Sequence, residues 1–116
     1  MSNFENKVYR TSIFDADYKW FAKKYVSVPS EIRQLEEMLV KQPNIGTPLE
    51  GNVYKIRMAC ESKGKGKRGG FRIITYLVDE QEDGTDIYLI MMYDKSEEGS
   101  VKISHLKNII NKIFQN

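Results

Sequence analysis

The sequence is short of the residues that mark several common protein classes. It has one cysteine, so no intrachain disulfide can form and a stapled secreted scaffold is excluded. It has one histidine, which with a lone thiol and scattered carboxylates argues against the usual zinc ligand sets. It has three prolines and eight glycines, too few for a low-complexity or fibrous chain. No apolar run approaches the ~18 residues that cross a bilayer. The first nine residues lack the apolar stretch of a secretory signal, so the expectation is an intracellular domain. Charge of one sign is also missing overall, because 18 Lys+Arg against 16 Asp+Glu leave a net of +2.

What is present suffices for one core. The 116 residues are 41% hydrophobic and 11% aromatic, which fits a single domain spanning 1–116. Residues 7–13 read as a first strand. Helical spacing follows from Asp15, the expected N-cap, through Tyr18, Phe21, Ala22 and Tyr25. Trp20 and Phe21 are adjacent, so only one of them can face the core. A second helix is expected to open at Ser30 and to carry the stripe Ile32, Leu35, Met38 and Leu39 up to Pro43. Residues 42–52 read as loop. Strands are expected at 53–60, 71–78 and 87–93, the last apolar enough for a central strand. An acidic turn with Gly84 separates the last two. An amphipathic helix over 101–114 ends the chain. The order β-α-α-β-β-β-α predicts an α+β domain: a strand and a two-helix hairpin, then a three-stranded antiparallel meander, then a C-terminal helix, with the helices on one face of the sheet.

The balanced charge conceals a cluster. Residues 53–72 hold Lys55, Arg57, Lys63, Lys65, Lys67, Arg68 and Arg72 against the single acid Glu61, a net of +6. The remaining residues therefore net −4. Such a band is the electrostatic footprint of a polyanion site. Lys55 and Arg57 lie two apart on a strand and share a face, and pairing can bring Arg72 beside them on a helix-free surface. The bland alternative is a set of solvated edge charges that oppose aggregation. Gly64, Gly66 and Gly69 match a dinucleotide-binding glycine pattern literally. A strand follows them rather than a helix, so that reading fails. Neither Gly-Lys pair precedes Ser or Thr, so a phosphate-binding P-loop fails as well. Cys60 and His105 are read as packing and surface residues.

Three runs, YKIRM at 54–58, SKGKGKRGGFRIITY at 62–76 and IYLIMMYDKSE at 87–97, resemble the RelE/ParE superfamily of type II toxin–antitoxin toxins. The resemblance is nearest to the HigB-type branch and spans almost the whole chain. It implies a RelE-like fold and a cytoplasmic, ribosome-dependent endoribonuclease that cuts mRNA in the A site. It implies no cofactor and no metal, no membrane, and as partners the ribosome, mRNA and a cognate antitoxin of helix-turn-helix type. The catalytic set it implies is Lys55, Arg57, Arg72, Tyr93 and Lys95, with Lys63, Lys65, Lys67 and Arg68 gripping RNA. Lys55 is the candidate base, and Lys95 and Tyr93 are proton-donor candidates. RelE proper carries an arginine after the terminal lysine, and this chain has Ser96. The assignment of base and acid therefore stays open. The alternatives are a ParE-like toxin that inhibits gyrase without cutting RNA, and a non-catalytic nucleic-acid-binding module.

Overall fold

The computed structural model describes residues 5–64, 66, 69–79, 84–96 and 99–115. Strand β1, Lys7–Arg10, is shorter than the sequence predicts, because helix α1 begins at Ser12 and runs to Lys24. Thr11, not Asp15, caps it. The Thr11 hydroxyl accepts from the Phe14 amide at 3.2 Å, and Asp15 sits in the first turn, where a carboxylate suits the helix dipole. Of the adjacent aromatics, Phe21 is buried and Trp20 is 67% exposed.

Helix α2, Val28–Lys41, opens two residues before the expected Ser30, with Pro29 in its first turn. Its N-cap is Ser27, whose hydroxyl donates to Glu31 Oε1 rather than capping the backbone. Val28, Ile32, Leu35 and Leu39 are buried, while Met38 turns outward. A two-residue strand β2, Thr47–Pro48, lies within the stretch expected to be loop. It takes the sheet edge, where a proline without an N–H is tolerated.

Strands β3 (Val53–Met58), β4 (Phe71–Asp79) and β5 (Thr85–Asp94) form the antiparallel meander. Most of the turn joining β4 to β5 lies outside the described residues. The sheet order is β1-β5-β4-β3-β2, and β1 pairs with β5 in parallel, so the five-stranded sheet is mixed. β5 is flanked on both sides and contributes Ile87, Leu89 and Met92 to one face and Ile90 and Tyr93 to the other. A bulge between Ile74 and Thr75 shifts its register against β4. Thr75 Oγ1, fully buried there, has no hydrogen-bond partner among the described residues.

The expected one-sided arrangement of helices is not found. α1 and α2 cover the face bearing Ile56, Phe71, Ile73 and Leu89. Helix α3, Ile103–Phe114, lies on the opposite face and packs Leu106 and Ile110 against Val53, Ile74, Ile90 and Tyr93. The physical reason is that β4 and β5 are apolar at both parities. A sheet that is apolar on both sides needs cover on both sides. No helix among the described residues is long and apolar enough to cross a membrane.

Candidate active site

The α3 face of the sheet is apolar under the helix and cationic at one end. The register explains the boundary. Arg57 on β3 pairs with Arg72 on β4, and Arg72 pairs with Tyr93 on β5. These three residues form one row across three strands, with neighbouring Cα atoms about 5 Å apart. The next row is Lys55 beside Ile74 and Met91, and the one after is Val53 beside Tyr76, which belongs to the ground α3 covers. The surface is therefore shared with a helix rather than helix-free.

The row differs in exposure along its length. Arg57 is open to solvent, whereas Arg72 is 4% and Tyr93 5% exposed. Arg72 donates from Nη1 to the carbonyl of Phe71 at 3.2 Å. Burial, then the charge of Arg57, pull the Arg72 guanidinium below its ordinary range, and Tyr93 pulls it back. A guanidinium starts so high that it remains a cation at neutral pH. Two like charges set directly opposite each other on a sheet are unfavourable in themselves. An anion placed between them removes that repulsion.

β5 outruns β1 beyond Leu89, so its edge would leave ladder groups unpaired near this row. The carboxylate of Asp17, on α1, accepts the Met92 amide at 3.1 Å and holds that edge. Lys95 follows the strand, and its amide donates to the Gly70 carbonyl at 3.1 Å.

The lysine–glycine loop leaves β3 through a short 3-10 turn, Glu61–Lys63. That turn is tied to the α1–α2 connection. The Ser62 hydroxyl donates to Ser27 Oγ at 2.8 Å and its amide to the same oxygen at 3.0 Å, while the Glu61 amide donates to Glu31 Oε2 at 2.7 Å. The loop returns at Gly70, where an added Cβ would fall 2.2 Å from the Met58 carbonyl oxygen. That glycine answers to the neighbouring strand rather than to a phosphate. Lys65, Lys67 and Arg68 lie outside the described residues.

Lys63, expected to grip RNA, is turned inward. Its side chain is 5% exposed, and its ammonium is hydrogen-bonded to Asp94, itself 2% exposed. Asp94 is not among the site residues expected from the sequence. Its parity on β5 faces the apolar side, opposite Phe71, and an acid there requires a buried cation. Among the described residues no group of three or more His, Cys, Asp or Glu is placed to hold a metal ion. The site offers guanidinium and ammonium charge, a phenol, and a pairing of exposed with buried cations. Such a set can bind a phosphodiester and stabilise negative charge developing on its oxygens. No protein-family model matches this chain.

Proposed function

We propose that this chain is the toxin of a type II toxin–antitoxin system, a RelE/ParE-like endoribonuclease of the cytoplasm that cuts mRNA in the ribosomal A site. The observation that carries this reading is the in-register row Arg57–Arg72–Tyr93, with Lys55 one row below and Lys95 just past its end. A surface that needs only to stay soluble has no use for two arginines directly opposite each other beside a buried tyrosine.

In this reading the RNA 2′-oxygen attacks the adjacent phosphorus and forms a P–O2′ bond while the P–O5′ bond breaks. One group takes the 2′-hydroxyl proton and another gives a proton to the departing 5′-oxygen. The fragments end in a 2′,3′-cyclic phosphate and a 5′-hydroxyl. Arg57 and Arg72 hold the non-bridging oxygens, where a planar fork matches the phosphate geometry. Lys55, Tyr93 and Lys95 are the proton carriers, and the pH–rate profiles of their single variants assign base and acid. Charge stabilisation by fixed cations supplies what a metal ion does in other nucleases. The cognate antitoxin, the ribosome and mRNA are the partners.

Primer extension on mRNA in a translating extract is the test. The expected result is cleavage at codon boundaries that disappears with Arg72→Ala and with Lys95→Ala. Arrested translation on intact mRNA, or failure of relaxed plasmid to be supercoiled, overturns the reading.

A further inference from the structure

Lys63 is the first cation of the lysine–glycine loop, yet it is turned inward. Besides Asp94, its ammonium meets Ser96 Oγ at 3.3 Å and lies 5.1 Å from the centre of the Phe71 ring and 5.7 Å from that of Tyr25. Asp94 Oδ1 accepts in addition the Ser96 amide at 2.9 Å and the Ser96 hydroxyl at 2.7 Å. The pair thus has hydrogen bonds, aromatic faces and almost no water. An ion pair so enclosed is sensitive to loss of either partner, because the survivor is left as an uncompensated buried charge.

The placement of the pair matters more than its strength. Lys63 ends the anchored turn from which the loop departs. Asp94 stands between Tyr93 and Lys95, and its opposite number on β4 is Phe71, next to Arg72. One contact therefore joins the root of the loop to the end of the strand that supplies Tyr93 and leads into Lys95. The Ser62–Ser27 and Glu61–Glu31 bonds fix the same turn from the helical side, so this root is rigid in two directions.

We propose that Lys63 and Asp94 are positioning residues: their ion pair sets the root of the loop, residues 61–64, in fixed registration with the Arg57–Arg72–Tyr93 row, and Lys63 itself does not touch RNA. The effect on cleavage rests on the function proposed above, whereas the anchoring does not. An RNA-contacting lysine and a positioning lysine leave different traces. The first adds to the salt dependence of binding, about 0.7 in the log–log slope per contact on single strands. The second leaves the slope alone and acts on turnover.

The test compares the full chain with Lys63→Met, Asp94→Asn and the double variant Lys63→Met/Asp94→Asn, which removes both charges together. Hydrogen exchange of residues 59–64 is read against the core strands. RNA binding against salt, and kcat and KM for cleavage, are read alongside. The expected result for each single variant is a protected core, exchange at 59–64 faster by roughly tenfold, and a kcat lowered by roughly tenfold or more with KM and the salt slope unchanged. The double variant loses no more than either single one, because the two residues act as one unit. Unchanged exchange at 59–64, a slope that falls by about 0.7 in Lys63→Met, or losses that add in the double variant overturns the inference. If the parent chain cuts no RNA, the function fails while exchange and its double-mutant cycle still decide the anchoring.

Discussion

The carboxyl of Asp94 is under opposed influences. Burial alone would raise its pKa, but hydrogen bonds from Lys63 and Ser96 outweigh burial and hold it below the ordinary carboxylate range. A carboxylate depressed in the folded state contributes stability above its unfolded pKa of about 3.9, and that contribution is lost as pH falls through the folded value. Asp94→Asn is therefore expected to cost about 3 kcal/mol at pH 7, by stranding the Lys63 charge. Its deficit against the parent chain should narrow as the pH drops below about 4. Urea melts at pH 7 and at successively lower pH check this, and a deficit that stays constant in acid contradicts it. Thr75 gives the opposite case. Its buried hydroxyl lacks a partner among the described residues, and Thr75→Val keeps the shape while removing the orphan. A gain of about 1 kcal/mol in the same melts is expected. Neither residue stood out in the sequence. Asp94 lies in an apolar run where its neighbours set the reading, and the isolation of Thr75 follows from a bulge that no local pattern announces.

Among the elements, the strands that build the candidate site were the most legible, and their ends the least. The two-residue period placed Lys55 with Arg57 and Arg72 with Ile74, and the register bears out those shared faces. Tyr93 needed the pairing itself, because the bulge in β5 sets which of its residues meets Arg72. The start of α1 was misjudged because Thr11 serves two elements. Its amide and its hydroxyl both donate to the Leu89 carbonyl, which binds it to β5 while it caps the helix. The side chosen by α3 was misjudged because the apolar stripe of an amphipathic helix does not say which face of a doubly apolar sheet it covers. Gly70 tests the join between loop and strand. With the Met58 carbonyl 2.2 Å from where a Cβ would stand, Gly70→Ala has to push β3 and β4 apart. A cost of at least about 2 kcal/mol is expected, with loss of cleavage, whereas Gly64→Ala, with open space around it, costs only the strain of its left-handed backbone. Thermal melts of the two variants separate these effects.

For the molecule as a whole, the near balance of charge resolves into one basic band on an acidic remainder. With Lys63 withdrawn into its ion pair, six cations of the band are left to meet an RNA. The slope of log affinity against log salt on single-stranded RNA should then be no steeper than about −4. A steeper slope means that cations outside residues 53–72 contribute, and a flat one means that this face does not bind RNA. The sheet topology carries one more consequence, for the order of events at the chain's own synthesis. β1 is made first but pairs with β5, the last strand to be made, 79 positions further on. The Arg57–Arg72 pair can close as soon as β4 has emerged, but Tyr93 and Lys95 complete the row only with the last strand. A nascent chain that has emerged only through β4 thus holds the arginine pair and lacks the strand that joins β1 to the rest of the sheet. The row is therefore complete only after nearly all of the chain has been made, whatever anion it binds.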